Sequence, residues 1–175
     1  MARAEIAAID ERLRGPHAEA LAALLQLGPR TRLDAATLSA WIASVEAAAR
    51  QAGGAWTAPA LSLADLTIDF PVDHDALAAI FMNLLRNAQA AVAGQEDGHV
   101  IVRVERARDV TGRQEVSLAL GDSAPARLTL ETIEARESGR GLAIVRDLVR
   151  EWRGHLVVRP DALPFTKTVG ACFPL

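Results

Sequence analysis

The chain has 175 residues, half of them apolar, which fits one domain with a substantial core and a short appendage. Its formal net charge is only −3 and its charged residues are interspersed, so it lacks the broad basic surface that nucleic acid or an anionic membrane requires. No apolar run approaches the ~20 residues that span a bilayer, and MARAEIAAIDERL lacks the apolar stretch of a signal peptide, so we expect a cytoplasmic chain without a membrane span.

The first half of the chain predicts helices separated by glycine and proline. Residues 3–28 carry apolar side chains at helical spacing, interrupted by Gly15 and Pro16, which predicts a helix and then a restart at Pro16. After the polar connector RTRLD, residues 34–51 predict a second helical region with one apolar face. LSLADLTIDFPV then predicts one or two strands.

A longer helix is predicted from Asp73 to about Ala93, with Asp73 and Asp75 at its start as capping residues. It contains IFMNLLRNAQAAV, in which two asparagines stand one helical turn apart on the same face. Asparagine is a poor helix former, and a buried amide without a partner costs about 1–3 kcal/mol. The amides of Asn83 and Asn87 are therefore either satisfied by neighbouring backbone or kept for a ligand.

The second half of the chain predicts mainly strands. HVIVRVERARD and QEVSLALGD are joined by the turn signal DVTGRQ, which predicts a hairpin. A helix is predicted from Gly141 to about Trp152, and GHLVVRP and TVGACFPL predict the last strands. The whole pattern predicts an α+β fold, a two-layer sandwich with helices on one face of a mixed sheet.

The cysteine and the histidines do not form a metal-binding pattern in the sequence. The chain has one cysteine, Cys172, in the last predicted strand, and we interpret it as a packing residue. His74, His99 and His155 are scattered at the ends of elements, which argues against a metal site.

The motifs occur in a recognisable order. IFMNLLRNAQAAV is followed by LALGDSAPA, by ESGRGLAIVRDLVREWRGHLVV and by TKTVGACFPL. This ordered set resembles the asparagine box, the two glycine boxes and the terminal strand of the histidine-kinase-type ATPase family, the Bergerat fold. The resemblance covers about residues 34–175 and implies an ATPase-like domain there. EIAAIDERLRGPHAEALAALLQLGPR further resembles the second helix of a sensor kinase's dimerisation and phosphotransfer hairpin, so residues 1–33 are a dimerisation-like helical segment.

The resemblance implies a nucleotide role for five residues. Asn83 would help to hold a magnesium ion if nucleotide binds, Asn87 would reach phosphate oxygens, and Asp122 would accept a hydrogen bond from the adenine amino group. Gly139 and Gly141 would let backbone amides approach phosphates at the start of a helix. Two other interpretations stay open, namely that Asp122 is a turn residue and that the glycines form a plain loop.

The chain departs from the family pattern at several places. Ala79 stands where the family carries a polar or acidic side chain ahead of the first asparagine, so we expect no catalytic residue. Ala124 and Ala126 replace both glycines of the first glycine box, and their methyl groups disfavour positive φ and crowd the adenine edge. Only RLTLETIEARES separates Ala126 from Gly139, so the lid is expected to be deleted. FTKT replaces a turn that normally begins with glycine.

The N-terminal segment has its own expectations. His17 lies in HAEALAA, which lacks the flanking pattern of a phospho-accepting histidine, so we interpret it as a surface residue. The apolar side chains of residues 3–28 have no obvious partner within the chain, which predicts a homodimer through this segment.

These departures favour a degenerate histidine-kinase catalytic-type domain. It would act in two-component-type signalling as a regulatory or docking module for a response-regulator-like or phosphotransfer protein, with ATP and magnesium bound weakly or not at all. The alternative is the active ATP-binding catalytic domain of a sensor protein histidine kinase. Both hypotheses expect the asparagine and glycine boxes to converge on one shallow cavity.

Overall fold

The computed structural model describes residues 29–63, 67–125, 128–135 and 141–175. The predicted helices of residues 3–28, together with His17, Ala126 and Gly139, lie outside these ranges. Within them, the helices are α1 (Ala35–Gln51), α2 (His74–Val92), α3 (Leu130–Glu134) and α4 (Leu142–Glu151). The strands are β1 (Thr31–Asp34), β2 (Ala60–Leu63), β3 (Thr67–Phe70), β4 (Val100–Arg108), β5 (Gln114–Asp122), β6 (His155–Pro160) and β7 (Lys167–Pro174).

Five of the strands form one mixed sheet in the order β2-β4-β5-β7-β6. The edge strand β2 runs parallel to β4, and the other neighbouring pairs are antiparallel. Helix α2 packs against β4, β5 and β7, and α4 packs against β6 and β7. The predicted two-layer α+β sandwich and its β4–β5 hairpin are therefore confirmed. No helix in the described ranges is long and apolar enough to cross a bilayer.

Helix α2 is the centre of the helical layer, since it contacts α1 and α4 as well as the sheet. Its buried side chains recur at helical spacing and include Leu77, Phe81 and Leu85. The predicted cap is confirmed, because the Asp73 carboxylate accepts hydrogen bonds from the Asp75 and Ala76 amides at 2.8 and 2.9 Å. The asparagine-bearing helix is thus fixed in place by packing along most of its length.

The prediction that RTRLD is a polar connector is wrong for four of its five residues. Thr31–Asp34 forms β1, which pairs with β3 in a separate two-stranded antiparallel sheet. Leu33 is only 2% exposed, and the Thr31 hydroxyl donates to the Val72 carbonyl at 2.8 Å. Alternate side chains of this short strand therefore point into the molecule, which the polar composition concealed.

The sheet face opposite the helices is built from small residues on its central strands. Side chains alternate across a strand, and Val116, Leu118 and Leu120 of β5 belong to the core under the helices. Ser117, Ala119 and Gly121 therefore lie on the other face. A Cβ atom at Gly121 would stand 2.9 Å from Arg103 Nη1 and 3.0 Å from Asp161 Oδ2. Long side chains from neighbouring segments thus cover the small ones.

Candidate functional site

The two asparagines occupy different environments on α2. Both are half-buried. The Asn83 side-chain amide donates a hydrogen bond to the Ala79 carbonyl at 2.8 Å, so Ala79 and Asn83 are joined within the helix. No hydrogen bond joins the Asn87 side chain to another described residue. The backbone-satisfied alternative is therefore observed for Asn83, whose side-chain oxygen stays available, whereas Asn87 keeps its whole amide for solvent or a ligand.

Asp122 is almost completely buried and ion-paired. It ends β5 and is 1% exposed, and Lys167 begins the neighbouring strand β7 directly opposite it. The ammonium of Lys167, itself 7% exposed, lies 2.7 Å from Asp122 Oδ1. The same carboxylate oxygen accepts the Ala124 amide at 3.0 Å. A buried charge requires a partner of this kind, and here the partner comes from within the chain.

The loop that follows Asp122 is fastened to the last strand. Lys167 Nζ also lies 3.3 Å from the Ala124 carbonyl, and the Thr166 hydroxyl donates to the same carbonyl at 2.5 Å. The Thr166 amide donates to the Asp122 carbonyl at 2.8 Å. The methyl group of Ala124 is buried among core residues. Asp122 and Ala124 are thus held in one geometry by Thr166 and Lys167.

The second glycine box is described only from Gly141 onward. Gly141 precedes α4 with φ of 51° and ψ of −118°, a conformation in which a Cβ atom is strained. It is exposed, and no side chain caps the helix. The first amides of α4 therefore receive no side-chain cap, which leaves them without the partner that a bound phosphate would replace. Gly139 lies outside the described residues, so its role stays a prediction.

The described part of the segment for which a shortened lid is expected is folded onto α4. Leu130–Glu134 forms the short helix α3, and Ile133 is completely buried. Arg146 of α4 donates to the Glu134 carbonyl at 3.0 Å, and the Glu134 carboxylate is ion-paired with Arg150. This segment is therefore held against the rest of the domain by the buried Ile133 side chain, by the hydrogen bond from Arg146 and by the ion pair with Arg150.

The structure brings the elements of the candidate site next to one another. Helix α2, with both asparagines, contacts β5, which ends at Asp122, and α4, which begins after Gly141. An open groove of about 260 Å³ lies beside Lys167 and is lined by Pro125, Leu128, Thr129, Val158, Arg159, Pro160, Thr166 and Lys167. Lys167 was not among the site residues predicted from the sequence. The departure at FTKT was the one signal that pointed to it.

The comparisons with known proteins identify the architecture. No family model and no curated protein matches the chain. Among solved structures, the catalytic domain of histidine kinase ThkA matches with a TM-score of 0.60 and 17% identity, over 83% of this chain and 96% of that one. The chain has the fold of a histidine kinase catalytic domain.

Two further solved histidine kinases have the same fold. A mycobacterial sensor histidine kinase, MprB, matches with a TM-score of 0.57 and 21% identity over 83% of this chain and 97% of that one. The Acinetobacter baumannii histidine kinase AdeS matches with a TM-score of 0.57 and 18% identity over 89% and 72% of the two chains. The resemblance that the motifs predicted is thus confirmed at the level of the fold.

Proposed function

We propose that this chain is a degenerate histidine-kinase catalytic-type domain that acts in two-component-type signalling as a regulatory or docking module and binds ATP weakly or not at all. One observation carries the proposal. Lys167 supplies the buried hydrogen-bond donor for Asp122, the residue that the resemblance assigns to the adenine amino group.

The free energies favour the internal pair over the base. Removing one partner of a buried ion pair costs about 3–5 kcal/mol, because the other charge is left uncompensated. A hydrogen bond from a neutral amino group to a carboxylate returns about 1.5–3 kcal/mol. An adenine amino group that displaced Lys167 from Asp122 Oδ1 would therefore face a deficit of about 1–3 kcal/mol, which is roughly five- to a hundredfold in affinity.

The groups that would contact the phosphates fit a ligand better than the groups that would contact adenine. The Asn83 side-chain oxygen, the Asn87 amide and the backbone amides that follow Gly141 are the groups that would hold magnesium and phosphate. Ala79 supplies no polar side chain that could orient an attacking group. Among the described residues, we therefore assign weak phosphate contacts to α2 and to the start of α4, and we assign neither adenine recognition nor catalysis.

The proposed partner is a response-regulator-like or phosphotransfer protein, which the domain would dock rather than phosphorylate. We place this interaction in the cytoplasm and assign dimerisation to residues 3–28. The alternative, an active sensor-kinase catalytic domain, draws its support from Asn87, whose amide is not consumed by another described residue.

Calorimetric titration of the full chain with MgATP and MgGTP tests the proposal. We expect dissociation constants of about 1 mM or weaker, and a difference between the two nucleotides of less than about threefold, because the base is not recognised. A dissociation constant for MgATP below ~50 µM, about −6 kcal/mol, would contradict the proposal. Loss of that binding in Asn87→Ala and Asp122→Ala would then place the nucleotide in the family's pocket and favour the enzyme alternative.

A gain-of-binding variant tests the role of Lys167 directly. Lys167→Thr, checked for folding by circular dichroism, removes the internal donor, and we expect MgATP to bind at least tenfold tighter than in the parent chain. Arg159→Thr is the matched control, since Arg159 is a cation on the same groove that does not pair with Asp122. Equal gains in both variants would show a general charge effect and refute the specific role.

A further inference from the structure

A second cluster of chemically active side chains lies on the sheet face opposite the helices. Cys172 of β7 stands directly opposite Ser117 of β5 on one side and His155 of β6 on the other. Glu115 precedes Ser117 by two residues, so its side chain lies on the same face. Ser117 is five residues before Asp122 on β5, which places the cluster about 17 Å from the candidate nucleotide site.

The potential ligand atoms of three of these residues are close together. One atom each from Glu115, His155 and Cys172 lies within 4.8 Å of the other two, and His155 Nε2 is 4.0 Å from Glu115 Oε2. Ligand atoms of a tetrahedral zinc ion, with bonds of about 2.0–2.3 Å, are separated by roughly 3.4–3.6 Å. The three ligand atoms must therefore come about 1 Å closer together. The His155 side chain is 53% exposed and is free to move by this amount.

Ser117 provides an independent sign of a missing ligand. It is 4% exposed, and its hydroxyl oxygen is the buried side-chain polar atom without a hydrogen-bond partner in the described part of the chain. Such an atom costs about 1–3 kcal/mol. The strand register places Ser117 directly opposite Cys172, so a ligand bound beside that sulfur would lie next to the hydroxyl and satisfy it.

We propose that Glu115, His155 and Cys172 bind one Zn²⁺ ion, with a water as the fourth ligand and the Ser117 hydroxyl hydrogen-bonded to that water or to the sulfur. Imidazole nitrogen, thiolate sulfur and carboxylate oxygen are the three donor types that zinc takes in proteins. The thiol proton of Cys172 leaves to solvent on binding, and the ion joins β5, β6 and β7 at one end of the sheet. Nucleotide takes no part, so the inference stands independently of the proposed function.

Metal titration of the full chain, purified in the presence of a chelator and then freed of it, tests the site. Co²⁺ is the first probe, because a thiolate–cobalt charge-transfer band in the near ultraviolet reports the sulfur ligand. We expect one equivalent of Co²⁺ to produce this band and one equivalent of Zn²⁺ to remove it, since zinc binds such sites more tightly. Absence of the band at one to five equivalents would overturn the proposal.

Single substitutions distinguish a specific zinc site from adventitious metal binding. Cys172→Ser should abolish the band, and His155→Ala and Glu115→Gln should each weaken Zn²⁺ binding at least tenfold. Ser117→Ala should weaken it by a smaller factor, as loss of an outer hydrogen bond does. His99→Ala, which removes another exposed histidine, should leave the affinity unchanged. Because His155 is on the surface, its variant is expected to fold even where Cys172→Ser does not, and unaltered affinity in His155→Ala would refute the site.

Discussion

The contact between Asp122 and Lys167 constrains the folded chain as well as the candidate site. Both side chains are removed from water, at 2% and 9% exposure, and each is the other's charge partner. A buried pair of this kind contributes little net stability compared with apolar residues of similar size. Removing only one of the two partners is strongly destabilising, because the other charge stays buried. The effect of this pair on the free energy of unfolding can therefore be measured separately from its proposed effect on nucleotide affinity.

We predict that Lys167→Met lowers the free energy of unfolding by about 3–5 kcal/mol, since it leaves the buried Asp122 carboxylate without a charge partner. The double variant Asp122→Leu with Lys167→Met should recover most of this loss, within about 1–2 kcal/mol of the parent chain. Urea denaturation at neutral pH measures all three. Arg159→Met, which breaks the exposed pair with Glu105 at 3.2 Å, is the control and should cost less than about 1 kcal/mol. Equal losses in Lys167→Met and Arg159→Met would contradict the prediction.

Single residues were predictable from the sequence where local rules decide them. The Asp73 cap follows from its position before a helix, and the shared face of Asn83 and Asn87 follows from their spacing. The pair of Asp122 and Lys167 does not follow from any local rule, because it depends on which strands become neighbours. The same is true of Cys172 and His155, which look unrelated in the sequence and stand side by side in the sheet.

At the scale of elements, the Asp161 carboxylate ties the segment after β6 to strands β4 and β7. It accepts hydrogen bonds from Arg103 Nη1 at 2.5 Å and from the Thr168 hydroxyl at 2.6 Å. Burial by itself would raise the pKa of Asp161, but the hydrogen bonds from Thr168, the Ala162 amide and Arg103 outweigh it and hold the pKa below its ordinary value. A lowered pKa in the folded state means that this group stabilises the fold while it is ionised.

Asp161→Asn is therefore predicted to lower the free energy of unfolding by about 1–3 kcal/mol at pH 7. The loss should be full above about pH 5 and should shrink as the pH falls below the unfolded-state value near 3.9 and through the lower folded-state value, because the parent chain then loses the same charge. Urea denaturation between pH 3 and pH 7 measures the difference. Asp69→Asn, at an exposed position of β3, should show no comparable difference at any pH in that range. A loss that is independent of pH would show that shape, not charge, is what Asp161 contributes.

Helices were predicted well where apolar side chains recur at helical spacing over many residues. The helix expected over 34–51 is observed as Ala35–Gln51, the one over 73–93 as His74–Val92 and the one over 141–152 as Leu142–Glu151. Short elements were missed, since β1 and α3 have 4 and 5 residues and each is held by one or two buried side chains. Leu33 and Ile133 supply that burial, and no period can be read from a single apolar residue.

At the scale of the whole molecule, the order of motifs predicted the fold although no single motif could. Sequence identity to the matching histidine kinase structures is only about a fifth, yet the layers and the sheet agree over most of the chain. Fold alone does not establish function, which depends on the groups at the site. In this chain the layers that carry Asn83, Asn87 and Gly141 match that fold, and Lys167 is ion-paired with Asp122, the residue for which an adenine contact is proposed.

The N-terminal segment of residues 3–28 lies outside the described ranges, and its sequence predicts how the chain assembles. The sequence of residues 3–28 has apolar side chains at helical spacing without an obvious partner within the chain, and a large unpartnered apolar face favours association. We predict a homodimer at tens of micromolar, measured as twice the chain mass by light scattering. Replacing Leu21 and Leu24 by glutamate should yield the monomer, whereas the matched surface change of Glu11 and Glu19 to glutamine should not. A wild-type chain that scatters as a monomer at this concentration, with its helical circular dichroism intact, would show that this face is covered within one chain.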